Sequence, residues 1–560
     1  MNGDQSPILR SKQVPEHIKY FRSGLCRAVG LQSDDLEKPI VGVIHAWNEM
    51  GPGDFHLKQV AEHIKEGVRS AGGTPIEVVV PGLCAGMSNG TEFSRYSLPY
   101  RDFAAAMVEI MLQGYICDGA VVVPTCDYTV PAYLMGIARV NIPSIVVTGG
   151  YMQPGEYDGH PVIMTDVKIA YGKYRAGNLH KQELEILANN VCPTVGACPI
   201  LGTANTMCVV TEALGMSLPG AAATPAVGAR LISNAKASGK QVMQLIQSNI
   251  RPSDILTKEA FANAITTTLA MGGSTNAVVH LIAVAREAGI ELDLDTWDRL
   301  SRRTPFICSL MPNHPYNTMR EFDRAGGAQA VMKELEPLLH LDVLTVTGNT
   351  LRENLSLARV PNREIIRPLG DPFNPQGGLA ILRGNLAPEG AVVKVSAFPA
   401  SMMKHEGPAK VFNSEEGAFK CLMGGELKPG NVMVIRYEGP RGAPGAPEPV
   451  SVMHGLIGLG LGDSVALVSD SRFSGTNKGA FIAHVSPEAA AGGPIAIVAD
   501  GDIIEIDIPA RRVNLKLPEA EIKNRLSKWT RPKPKAVKGV LALYANVARS
   551  LSEGGGIPLQ

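Results

Sequence analysis

Three cysteines of this chain stand in candidate site segments: Cys84 in Gly82-Leu83-Cys84-Ala85-Gly86, Cys126 in Thr125-Cys126-Asp127-Tyr128, and Cys198 in Gly196-Ala197-Cys198. Thiolates ligate soft metals and iron–sulfur clusters. A cysteine between small residues, as at Cys198, is more often a buried core thiol than a ligand. Around these thiols lie groups able to move protons: His45, His56, Glu92, Asp127 and Tyr128, with Ser474 far along the chain in Arg472-Phe473-Ser474-Gly475-Thr476. Imidazole, carboxylate and phenol side chains act as general acids and bases when held within hydrogen-bond reach of a substrate. Glu438, in Tyr437-Glu438-Gly439-Pro440, is either a metal ligand or a loop acid, and Ser474 is either a nucleophile or base or a turn residue. Gly272-Gly273-Ser274-Thr275-Asn276 reads as an anion cradle or as an ordinary helix cap.

The elements that must position these residues alternate regularly over the first 150 residues or so. Residues 39–47, 75–80, 119–124 and 142–148 are continuous Val/Ile-rich runs that predict buried strands. Between them, residues 54–71, 99–112 and 131–140 predict helices. That order means βαβ units and a parallel sheet covered on both faces. In such sheets ligands bind beyond the carboxyl ends of the strands, which is where residues 48–56, 82–92 and 125–128 fall. Residues from about 176 to 340 read as mostly helical, and the loop-like composition of residues 371–378 suggests a domain boundary. Beyond it, residues 391–396, 431–436, 464–469, 494–499, 502–508 and 512–517 predict strands, with Asp500-Gly501 as a hairpin turn. The expected fold is α/β: an N-terminal parallel-sheet domain over residues 1–370 and a smaller β-rich, barrel-like domain over 371–560.

A chain of 560 residues is too long for one core, which supports two domains. Lys plus Arg equals 53 and Asp plus Glu equals 53, a balance that argues against a nucleic-acid or membrane-surface partner. No apolar run approaches the roughly 18–20 residues of a membrane span, and no secretion or transit signal is visible at the N-terminus. The nine cysteines are odd in number and scattered through a large chain, which predicts reduced thiols and a cytoplasmic protein.

Several long runs then point to one family. Arg95-Tyr96-Ser97-Leu98-Pro99, residues 212–220 (EALGMSLPG), Gly272 to Ala277 (GGSTNA), residues 378–388 (GLAILRGNLAP), Gly407-Pro408-Ala409, Arg436 to Pro440 (RYEGP) and His484 to Ala489 (HVSPEA) resemble the dihydroxy-acid/6-phosphogluconate dehydratases. The resemblance runs from about residue 10 to about residue 550. It implies a hydro-lyase that converts a 2,3-dihydroxy acid or a sugar acid to a 2-keto acid, in a homodimer or larger homo-oligomer. It also implies an iron–sulfur cluster on three cysteines, a Mg²⁺ ion held by acidic residues and often a carbamylated lysine, and a serine base.

Carried over residue by residue, the resemblance implies cluster ligands at Cys126 and Cys198, but the first cluster cysteine is Gly53. For the magnesium site it implies Asp127 and Glu438, but the first acid is Ala85 and the lysine is Tyr128. Thr91-Glu92 and Ser474 match the family pattern, and Cys84, beside Ala85, is a candidate replacement thiolate. Glycine and alanine offer no donor atom, so both cofactors are in doubt. Three readings follow: a dehydratase with altered metallation, a repurposed metal-independent enzyme acting on an activated substrate, or a non-catalytic relative that binds a ligand or partner. In the metal-independent reading Tyr128, His45, His56, Glu92, Asp127 and Ser474 form the acid–base set.

Overall fold

A computed structural model describes residues 9–473, 475 and 478–558. Its N-terminal sheet has four parallel strands in the order β2-β1-β3-β4. They are β1 (Ile40–His45), β2 (Thr74–Val79), β3 (Gly119–Val123) and β4 (Ser144–Val146). Every residue of β1 and β3 is buried, as their unbroken Val/Ile runs require of central strands covered on both faces. Helices Leu57–Ser70, Ser97–Gly114 and Thr129–Val140 connect the strands. The second of these approaches so closely that a Cβ on Gly42 of β1 would meet Leu112 Cδ2 at 2.6 Å.

After β4 comes a short hairpin, β5 (Gly155–Tyr157) and β6 (His160–Val162), turned by Asp158 (φ 52°) and Gly159 (φ 74°). Left-handed conformations at both central residues suit a two-residue hairpin turn. A helical region follows, in which helices Thr203–Ala213, Lys258–Met271 and Asn276–Glu287 are buried almost throughout.

The second sheet has eight strands: β7 (Ala380–Leu382), β8 (Gly390–Val393), β9 (Lys404–Phe412), β10 (Val432–Ile435), β11 (Ala466–Ser469), β12 (Phe481–Ser486), β13 (Ile503–Asp507) and β14 (Arg512–Leu515). Their order is β14-β13-β9-β10-β11-β12-β8-β7. The central four run parallel, with helices Glu415–Met423 and Val450–Gly458 as crossovers, and the flanking pairs are antiparallel. The two edges meet where the Arg383 N–H donates to Arg511 O and the Val513 N–H to Arg383 O, each at 3.0 Å, so the sheet nearly closes into a barrel. Two short expectations fail. Residues 494–499 form a 3₁₀ turn, Pro494–Ile497, rather than a strand. Asp500-Gly501 does not turn a hairpin, because it is docked on β9: Asp500 Oδ1 accepts from the Val411 N–H at 2.7 Å and the Gly501 N–H donates to Ala409 O. The hairpin in this region joins β13 to β14 instead. Among the described residues, no helix is long and apolar enough to cross a membrane.

Candidate functional site

The loops after β1, β2 and β3 converge on one cavity of about 180 Å³, together with the 196–198 segment and residues of three later helices. Pro52 and Gly53, Cys84 and Ala85, Cys126 and Asp127, and Ala197 and Cys198 all line it. Local backbone chemistry fixes this convergence. The Gly196 N–H donates to Pro52 O at 2.9 Å, tying the Cys198 segment to the first loop. Gly196 itself has φ 122°, and a Cβ there would stand 2.5 Å from Met152 N, so only glycine allows the chain to pass. Asn205 holds the next residues by donating to Cys198 O at 2.6 Å and to Ile200 O at 2.8 Å.

The thiols are unequal. Cys84 and Cys126 form a hydrogen-bonded pair in which Cys126 donates, lowering the Cys84 pKa and raising that of Cys126. The backbone N–H groups of Gly86 and Met87 also favour the Cys84 thiolate. Cys198 is open to the cavity yet surrounded by protein, and burial raises its pKa. Burial pushes Asp127 up to about 7, with Glu448 and Cys84 adding to the effect and the Ala204 N–H and Arg472 opposing it. Asp54, just behind Gly53, is buried and pushed up to about 8 by desolvation and by the nearby Cys84.

The other expected site residues lie elsewhere. His45 turns to Glu77 of the neighbouring strand, 3.0 Å from Oε1, and Glu77 is also paired with Lys65. His56 is spent on Gly149 O at 2.6 Å. Tyr128 is buried away from the cavity wall, accepting a hydrogen bond from Arg472 Nη1 at 2.7 Å beneath the guanidinium. Arg472 is in turn 3.4 Å from Glu448 Oε1, which accepts from Asn276 Nδ2 at 2.6 Å, while Arg472 Nη2 has no hydrogen-bond partner among the described residues. Glu92 and Glu438 line a second, wider cavity of about 480 Å³ with Glu415. There Lys535 Nζ donates to Glu438 Oε1 at 2.6 Å. Ser474 lies outside the described residues. Its neighbour Gly475 packs on Gly202 and Thr203, which line the thiol cavity. The 272–276 loop is a helix start rather than a cradle: the N–H groups of Gly272, Gly273, Ser274 and Asn276 all have acceptors within the protein. Sequence reasoning missed Lys168, Cys192 and His454, which also line the thiol cavity. They sit in helices or loops with no local motif, and only tertiary packing brings them there.

The donor set does not fit the cofactors that the resemblance implies. Gly53 offers no thiolate, and a Cβ there would stand 2.4 Å from Cys126 Sγ. Cys84 packs against Cys126 as a thiol pair instead of completing a spaced set of three. Ala85 has no oxygen, Tyr128 is held by Arg472, and Glu438 is paired with Lys535 across from a different cavity. Among the described residues, no three His, Cys, Asp or Glu side chains form a metal-ligand group.

Two family profiles cover most of the chain. The one described as dihydroxy-acid/6-phosphogluconate dehydratase N-terminal matches residues 38–354, and its C-terminal counterpart matches residues 364–555. Among similar proteins, the dihydroxy-acid dehydratase of Moorella thermoacetica is 49% identical over 95% of this chain and 96% of its own length. That of Caldanaerobacter subterraneus subsp. tengcongensis is 49% identical over 98% and 99%. That of Sulfurisphaera tokodaii, an equally full-length match, is 48% identical over 94% and 95%.

Proposed function

The chain belongs to the dihydroxy-acid/6-phosphogluconate dehydratase family, and we propose that it is a hydro-lyase removing water from a small 2,3-dihydroxy carboxylate to give a 2-keto acid. The observation that carries this reading is the cavity in which a thiol pair and a high-pKa carboxyl face the same space. Its volume, about 180 Å³, lies below the roughly 300–1,000 Å³ of pockets for drug-sized ligands and suits a small acid.

We further propose that the reaction runs without the three-thiolate cluster and the magnesium shell, because Gly53 and Ala85 offer no donor, Cys126 is engaged by Cys84 and Glu438 is paired with Lys535. The chain's own groups then divide the proton transfers. Cys84, as thiolate, takes the proton from C2. Asp127, in its acid form, protonates the departing 3-hydroxyl. The C2–H electrons form the C2=C3 bond, the C3–O bond breaks, water leaves, and the enol tautomerises to the 2-keto acid. An acid and a base whose surroundings push their pKa values toward neutrality are suited to this division. Ser474, the base implied by the resemblance, is the rival for the first transfer.

The expected outcome is 2-keto acid formation from five- or six-carbon 2,3-dihydroxy acids, followed as its hydrazone. Absence of keto acid across that panel would sink the proposal. Exchange of the C2 hydrogen with solvent deuterium in a 2-hydroxy acid lacking the 3-hydroxyl separates the two bases. Loss of exchange in Cys84→Ser but not in Ser474→Ala assigns it to Cys84, and the reverse result assigns it to Ser474.

A further inference from the structure

Among the described residues, the thiol cavity has one amine in its wall, and none of them pairs with it. Lys168 stands in the helix Met164–Arg175 and lines the cavity beside Cys198. Among the described residues, nothing forms a hydrogen bond or ion pair with its Nζ. The two acids whose charge reaches it are committed elsewhere: Glu415 accepts from the Ser451 N–H at 2.9 Å, and Glu448 is held by Asn276 and Arg472. His454, also in the wall, is kept neutral by burial, which pushes its pKa down to about 3.

An ammonium against a largely apolar wall without a counter-ion is costly, and burial lowers the Lys168 pKa accordingly. A bound anion would relieve that cost. The helix is held close to its neighbour, since a Cβ on Gly458 would stand 2.9 Å from Gly172 Cα, so Lys168 is presented from a packed element rather than a free loop.

We infer that Lys168 binds the substrate's carboxylate, taking the anchoring role that the magnesium shell would otherwise fill. The inference rests on the proposed reaction and narrows its substrate class. One unpaired ammonium in a cavity of about 180 Å³ matches a small monoanionic carboxylate. It does not match a phosphorylated sugar acid, whose phosphate brings further negative charge and needs donors of its own.

The test is calorimetric binding to the full chain of 2-hydroxy-3-methylbutanoate, which lacks a 3-hydroxyl and cannot lose water, against its primary amide. Wild type is expected to prefer the carboxylate by about tenfold or more, the scale of one charge-assisted hydrogen bond. Lys168→Met and Lys168→Gln should lose that preference with an unchanged thermal midpoint, and Lys168→Arg should keep part of it. A wild type without preference, or a folded Lys168→Met or Lys168→Gln that keeps it, overturns the inference. A Lys168-dependent preference in a protein that dehydrates no dihydroxy acid leaves this inference standing and removes the proposed reaction instead.

Discussion

A glycine at position 53 leaves the space beside Cys126 Sγ clear, and Cys126 donates its S–H to the Cys84 sulfur. The Cys126 thiol thereby holds Cys84 as the reactive partner of the pair. Replacing Cys126 by alanine removes a hydrogen bond to a thiolate, worth about 1.5–3 kcal/mol. Alkylation of Cys84 by iodoacetamide at pH 7, followed by mass spectrometry, should slow by about tenfold or more in that variant. An unchanged or faster rate would mean that Cys126 does not stabilise the thiolate. At this scale the sequence carried part of the site. Cys84, Cys126, Asp127 and Cys198 are adjacent to strand ends or glycines that mark them, and they share one cavity. His45, His56 and Tyr128 carry the same chemical promise, but a strand neighbour, a carbonyl and a guanidinium claim them. Those partners are distant in the chain or belong to neighbouring elements, so no local pattern reveals them. Lys168 was invisible for the converse reason: an exposed lysine and a cavity lysine read alike on a helix.

Elements position the site through close backbone contacts. Helix Leu57–Ser70, which follows the Gly53 loop, crosses helix Ala229–Ser248 at two glycines. A Cβ on Gly67 would meet Lys236 O at 2.2 Å, and one on Gly239 would meet Ile64 O at 2.3 Å. Gly67→Ala should therefore push the helices apart at a cost of about 1–3 kcal/mol, read as a lower thermal midpoint. An unshifted midpoint would show that the crossing relaxes freely. The central strands and their helices were legible because burial on both faces writes itself as continuous Val/Ile runs. The run at 494–499 is equally apolar, yet Pro494 begins a 3₁₀ turn there. Composition could not separate a buried turn from a buried strand. Strand β9 went unread because its sequence, KHEGPAKVF, mixes charge, glycine and proline, and its place is set by pairing with β10 and β13.

Across the whole molecule, buried acids and bases together set the response to pH. Burial raises Asp54 to about 8 and Asp127, Glu415 and Glu488 to about 7. In the unfolded chain these groups ionise near pH 4. Raising the pH from 6.5 to 8.5 thus removes protons from these four groups in the folded state alone, a contribution that lowers stability across that window. Cys84 and Lys394, lowered to about 6 and about 7, act in the opposite direction, and so, near pH 6.5, do His45, His56, His280, His454 and His484, whose pKa values burial lowers. Melting measured over this range should show a midpoint that falls less, or rises more, with pH in Asp54→Asn than in wild type; equal slopes would refute the assignment of Asp54. The same architecture, a family scaffold with several cofactor donors removed or paired, makes the central claim directly measurable. Protein purified without oxygen should be assayed, in one sample, for iron, acid-labile sulfide and 2-keto acid formation before and after treatment with EDTA. The account predicts turnover with iron and sulfide far below one cluster per chain and no loss on chelation. Turnover that appears only with a stoichiometric cluster, or vanishes with chelation, would contradict it.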